Sequence, residues 1–191
     1  MEELDFDVVV VGGGPAGSSA ARIAAKNGCS VALIEKEKEI AETVRTSGVT
    51  WISDIEEFGI PNECYNPIKK FSFCSPKNSV TISDNIAKAA VLDVRKTYRF
   101  LAKRAQSLGS EVFTSTNVSE ILKNSSGECI GVIAKSQDRE IKFKAKVIID
   151  ASGFASIVAR ELGHVEQWKK FGVGAEFEVK TEKLEYDNWW L

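Results

Sequence analysis

Apolar positions along the chain change their period from block to block. Asp7 is followed by Val8-Val9-Val10-Val11, a β-branched run of strand length. Such a run, apolar without alternation, predicts a strand buried on both faces of a parallel sheet. Gly12-Gly13-Gly14-Pro15-Ala16-Gly17 ends it. Ser18 to Lys26 then predicts a helix with Ala20, Ile23 and Ala24 on one face, stopped by Asn27-Gly28. Val31-Ala32-Leu33-Ile34 predicts a second buried strand, which ends at Glu35.

Regular strand–helix alternation stops there. A mixed stretch runs to about residue 92, with a short helix expected over Ile52 to Phe58, ended by Gly59 and Pro61. Short strands are expected over Lys70 to Ser75 and Ser79 to Ser83, on either side of a Pro-Lys-Asn turn. Val94, Tyr98, Leu101, Ala105 and Leu108 recur at helical spacing up to Gly109. Glu111 to Ser115 predicts the next parallel strand. Three further strands, Val118–Lys123, Cys129–Ser136 and Glu140–Lys144, are separated by Ser125-Ser126-Gly127 and Gln137-Asp138, which predicts an antiparallel meander. Lys146 to Asp150 returns to a buried strand before Ala151-Ser152-Gly153. Phe171 to Lys180 predicts the first strand of a second sheet, and Trp189-Trp190-Leu191 a strand severed from its neighbours rather than a membrane-touching tail. The fold class is therefore α/β: a Rossmann-like parallel sheet with helices, a three-stranded antiparallel β-meander, and the start of a second β-sheet.

Composition narrows the function classes. The 191 residues are 43% apolar and 27% charged, which is globular and sufficient for a core without disulfide or metal staples. A net charge of −2 argues against nucleic-acid binding through a broad basic surface. His164 is the only histidine, so no His-rich metal site is expected. The cysteines at 29, 64, 74 and 129 show neither CxxC nor CxxxxC spacing, and are expected as free thiols in a reducing cytoplasm. The acidic start, Met1-Glu2-Glu3-Leu4-Asp5, does not read as a signal peptide, and no apolar stretch approaches a membrane span.

The chemistry is concentrated in the opening block. Gly12, Gly14 and Gly17 form a GxGxxG that follows a strand and opens a helix. Gly12 permits the tight turn, Gly14 lets the backbone approach a pyrophosphate, and Gly17 lets the helix lie close to the sheet. The helix N-terminus offers N–H groups and partial positive charge to phosphates. Glu35, eighteen residues beyond Gly17, stands where a carboxylate can accept from ribose hydroxyls. Placed about 4 Å from a 2′-phosphate it would cost about 1–4 kcal/mol, which disfavours NADP and leaves FAD or NAD.

The order of elements decides between those two. The chain resembles the FAD-binding domain of the flavoprotein hydroxylase-like superfamily, and within it the geranylgeranyl reductase family. Four segments carry the likeness: "DVVVVGGGPAGSSAARIAAKNGCSVALIEK", "VRTSGVTW", "LDVRKTYRFLAKRAQSLGSEV" and "AKVIIDASGFASIVARELG". The resemblance implies FAD as cofactor and reduction of isoprenoid double bonds in lipids. It implies a cofactor-binding set of Gly12, Gly14, Ala16 and Gly17 at the pyrophosphate with Pro15 among them, Glu35 at the adenosine ribose with Lys36 next to it in the set, Arg45 at the phosphates or ribityl chain, Thr46 and Ser47 in the loop near the flavin, Arg95 as another FAD-side donor, Val118 beside adenine through its backbone, and Gly153 in the turn next to the cofactor. No catalytic residue and no metal ligand is assigned.

Three positions depart from the family pattern: Thr46 where the flavin loop commonly has Cys, Ser152 where the second motif has Asp, and Arg99 where an acid usually follows the aromatic residue of the helix. Family members continue for about as many residues again, so the chain is expected as a truncated N-terminal portion. Residues 1–165 would be the FAD-binding domain, with an insertion at roughly 46–92, and 166–191 the beginning of a substrate-binding domain. The expected partner is a small-molecule or polyprenyl lipid substrate, with peripheral membrane contact through that lipid, a cytoplasmic location, and a C-terminal partner chain if the enzyme is split. The same residues are shared with FAD-dependent monooxygenases and halogenases, although the halogenase Trp-x-Trp-x-Ile motif is missing. A non-enzymatic nucleotide-binding stub is the third reading.

Overall fold

The computed structural model describes residues 2–137, 139–166, 168–175, 177, 180 and 185–191. Its elements are, in chain order, β1 (Glu2–Val11), α1 (Pro15–Lys26), β2 (Val31–Ile34), β3 (Val49–Trp51), α2 (Ile52–Phe58), β4 (Tyr65–Ile68), β5 (Lys70–Cys74), β6 (Ser79–Ser83), β7 (Ala89–Leu92), α3 (Val94–Ser107), β8 (Glu111–Phe113), β9 (Thr116–Lys123), β10 (Cys129–Ser136), β11 (Arg139–Asp150), α4 (Ile157–Glu161) and β12 (Asn188–Trp190). They fall into two units, Met1–Thr43 with Tyr98–Phe171, and Val44–Thr97 with Gly172–Leu191.

The first unit is built on one six-stranded sheet in the order β8-β2-β1-β11-β10-β9. β1 lies between β2 and β11 and runs parallel to both. The valine run explains this central place. Val8 and Val10 pack with Ala21, Ala25, Leu33 and Ala105 on one face, while Val9 and Val11 join Ile34, Val132 and Phe143 on the other. A strand covered on both faces needs apolar residues at every position, not every second one.

α1 meets the sheet through Gly17, Ser18, Ala21 and Ala25. This corrects the face expected from the sequence, since Ile23 is 47% exposed. A helix lying this close to the sheet takes only small side chains at the contact, so the largest apolar residue turns outward. The expected meander strand Glu140–Lys144 and return strand Lys146–Asp150 are also one strand. β11 pairs antiparallel with β10 through residues 139–144 and parallel with β1 along its length. Ala145 between the two halves carries no turn signal, so nothing breaks the extended chain.

The second unit holds two three-stranded sheets, β12-β5-β6 and β3-β7-β4. β5 and β6 fall where the sequence places them, and α2 ends at Gly59, whose φ is 61. β12 pairs in parallel with β5, and the Trp189 ring lies 5.8 Å from that of Phe71. The terminal strand is therefore paired and not severed. Residues 171–175, 177 and 180 of the expected strand Phe171–Lys180 are in no strand. Glu176, Glu178 and Val179 lie outside the described residues. The four cysteines are free thiols, and burial pushes that of Cys64 up, with Glu63 and Asp93 adding to it.

Asp7 ties the three central strands of the first unit at one end. Its carboxylate accepts from Lys146 Nζ at 2.7 Å, from the Ser30 N–H at 2.9 Å and from Ser30 Oγ at 3.0 Å. Lys146 foremost, then Ser30, lower its pKa from 3.8 to about 2. A depressed carboxyl contributes stability that is complete above the unfolded pKa and is lost as pH falls through the folded one. Urea unfolding of the native chain is therefore expected to weaken more between about pH 4 and pH 2 than that of Asp7→Asn. Parallel pH profiles for the two would remove Asp7 from the account.

Candidate functional site

The carboxyl ends of β1, β2 and β11 converge on the glycine turn. The Gly12 N–H donates to the Ile34 carbonyl at 2.8 Å and the Ala151 N–H to the Val11 carbonyl at 2.8 Å. Gly12 sits at φ 110, which an L side chain rarely adopts, and a Cβ there would stand 2.4 Å from the Ala151 carbonyl oxygen. A Cβ on Gly17 would stand 1.9 Å from the Gly12 carbonyl oxygen. The protein itself therefore demands glycine at both positions. Gly14 differs: a Cβ on it would meet nothing within 4 Å. Nothing in the protein requires it to be bare, and its backbone is open to the outside of the turn.

α1 begins directly after Gly14, with Pro15 in its first turn and no acid there. Pro15 and Ala16 are exposed. Its dipole and leading N–H groups thus face outward beside open backbone, the arrangement that favours phosphate. Ser18, fully buried, holds the turn from below through Oγ to the Gly13 carbonyl at 3.1 Å.

Glu35 reaches the same turn. The Gly13 N–H donates to its Oε2 at 2.8 Å, and the Glu37 N–H to its Oε1 at 2.8 Å. Each carboxylate oxygen keeps acceptor capacity for a diol. Lys36 is exposed at the end of β2.

The β11 end supplies the third wall. Asp150 Oδ1 accepts from Ser152 Oγ at 2.6 Å and from the Ser152 N–H at 3.1 Å, and Oδ2 from the Ala159 N–H at 2.8 Å. Ser152 Oγ accepts in turn from the Ile157 N–H at 2.8 Å. Burial pushes the Asp150 carboxyl up, but Ser152 and the Ala159 and Val158 amides outweigh it and hold it below the usual range. Asp150 and Ser152 thus bind α4 to the sheet. Neither residue was marked as a site residue by sequence; the only signal was the missing acid at 152. Gly153 follows, exposed, at φ 67.

Other expected residues belong to other elements. The Val118 side chain is buried in the core beside Val132, so on edge strand β9 only its main chain can face outward. Arg45, Thr46, Ser47 and Arg95 belong to the second unit. There Thr46 Oγ1 accepts from the Gly48 N–H at 3.3 Å, Arg45 and Ser47 are exposed, and Arg95 is exposed in the first turn of α3.

The family model for FAD dependent oxidoreductases matches residues 7–165. The chain belongs to that family. Its cofactor is FAD, and the residues fit it: bare backbone at Gly14, a helix N-terminus without acids, and a carboxylate at the strand end. A digeranylgeranylglycerophospholipid reductase of Methanocaldococcus jannaschii is 35% identical over 96% of this chain and 48% of its own length. An uncharacterized protein in the nifH2 5′ region of Methanosarcina barkeri is 35% identical over 85% of this chain and 90% of its own. Among solved structures, a geranylgeranyl bacteriochlorophyll reductase-like protein of Thermoplasma acidophilum superposes with a TM-score of 0.77 at 29% identity, covering 84% of this chain and 42% of that one. The expected likeness to geranylgeranyl reductases is borne out, and the chain spans about half the length of the reductases it matches.

The glycines should separate in their effects. Gly17→Ala is expected to destabilise by about 1–3 kcal/mol or more through its backbone clash. Gly14→Ala, at an open N-cap, should cost no more than about 1 kcal/mol. Thermal melts of the two variants check this, and equal losses would contradict it.

Proposed function

We propose that this chain is the FAD-binding part of a flavin-dependent reductase that saturates isoprenoid double bonds of lipids. The observation that carries its FAD-binding part is the Gly13–Glu35 hydrogen bond beside the open backbone of Gly14. On this reading Gly12, Gly14, Pro15, Ala16 and Gly17 line the pyrophosphate, and Glu35 and Lys36 the adenosine ribose. Val118 approaches adenine through its main chain, Gly153 gives room at the β11 turn, and Arg45, Thr46, Ser47 and Arg95 serve the flavin side. Residues 1–165 are the FAD-binding domain, with the insertion at 46–92, and 166–191 open a substrate-binding domain. The names of the related archaeal reductases support a digeranylgeranyl lipid as substrate. When bound and reduced, FAD supplies the hydride for such a double bond.

Among the described residues no helix is long and apolar enough to cross a membrane. Work in the cytoplasm, touching the membrane only through the lipid, is part of the same proposal.

Two measurements test it. The 191-residue chain should bind ADP, and should bind AMP at least about tenfold more tightly than 2′,5′-ADP, which is AMP carrying a 2′-phosphate, because Glu35 opposes that phosphate. Equal or tighter binding of 2′,5′-ADP would place the carboxylate away from the ribose. Co-expressed with the C-terminal half of the Methanocaldococcus reductase and supplied with dithionite, the chain should add hydrogen pairs to a digeranylgeranyl lipid, read by mass. A complex that holds FAD yet leaves the lipid unchanged would count against the substrate.

A further inference from the structure

Residues 36–43 leave β2 without helix or strand, yet the segment is tied throughout. Glu37 Oε2 accepts from the Thr43 N–H at 2.9 Å and Glu42 Oε2 from the Lys38 N–H at 2.9 Å. Ile40 is buried at 8% exposure, and a Cβ placed on Gly13 would stand 2.4 Å from its Cδ1 and 3.0 Å from Glu35 Oε2. The Ile40 side chain thus lies close against Gly13, on the side of the turn that Glu35 Oε2 also approaches. Its neighbour Ala41 sits at φ 58, a conformation that persists only where the surroundings enforce it.

α3 grips the two residues before Ala41. Arg99 Nε donates to the Ile40 carbonyl at 3.2 Å, and Nη2 to Glu39 Oε2 at 2.5 Å. The ion pair alone, at the surface, contributes little to stability. The fork does something else: two donors in one plane fix the direction of the segment they grip. Arg99 is also the position where the sequence departs from the pattern of its helix, and no role was assigned to it.

We propose that Arg99 is a positioning residue for the adenosine half of the cofactor site. It holds Ile40 against Gly13 and Glu35, so that the carboxylate is presented to the ribose hydroxyls. The inference rests on the reading of Gly12 to Glu35 as an ADP-binding site. It extends that site to a side chain that touches no ligand.

The test is calorimetric titration of the full chain with ADP and with 2′,3′-dideoxy-ADP, which lacks the hydroxyls that Glu35 accepts. Arg99→Ala should weaken ADP about tenfold while leaving the dideoxy analogue within about twofold. Arg99→Lys should share the defect, because it keeps the charge and loses the fork. In a Glu35→Gln background the Arg99→Lys effect should disappear, a coupling that general loss of stability would not produce. Unchanged ADP affinity in both variants, or equal losses for ADP and analogue, overturns the proposal. A native chain that binds no ADP overturns the site itself, and this inference with it.

Discussion

The hydrogen bond from the Gly13 amide to the Glu35 carboxylate joins three parts of the first unit. Glu35 closes β2, and its main chain is held on both sides: its N–H donates to the Phe113 carbonyl at 2.8 Å, and its carbonyl accepts from the Thr116 N–H at 2.9 Å. Its side chain then reaches the turn between β1 and α1. A charge-assisted bond of this kind is shorter and stronger than a neutral one and fixes direction as well as distance. The turn, the strand end and the first helix are set relative to one another by a residue that keeps acceptor capacity in hand.

Around that bond the glycines divide by the side on which they are needed. Gly12 and Gly17 are bare because protein backbone stands where a Cβ would go, whereas Gly14 is bare toward open space. The first two serve the fold, and nothing in the fold requires the third. A similar division explains the β11 end. Asp150, two residues before Ser152, takes up that serine and the Ala159 amide of α4. The pair closes the wall beside Gly12 with hydroxyl and carboxylate in concert.

Much of this was legible in the residues because the signals were local. Four consecutive valines, a glycine turn, a helix stop and an acid at the next strand end specify β1, α1, β2 and the turn between them. The rest depends on partners that no local pattern names. β11 serves the antiparallel β10 over residues 139–144 and runs on beside the parallel β1 to Asp150, without any turn residue between the two parts. Ile23 looks like a core residue, and only the closeness of α1 to the sheet turns it outward. Sheet β3-β7-β4 was missed because Val49–Trp51 and Ala89–Leu92 are short, and because Tyr65–Ile68 contains Pro67, which suits the edge position that β4 occupies. Arg99 was visible only as a departure from a pattern, since its partners, Glu39 and Ile40, lie some sixty residues earlier in the chain.

Amide-resolved NMR of the 191-residue chain, recorded without and with ADP, tests the central claim most directly. The account predicts the largest shifts at the amides of Gly13, Gly14, Ala16 and Gly17, with Glu37 following as its bond to Glu35 responds. Saturable binding that leaves those five amides unmoved would contradict it.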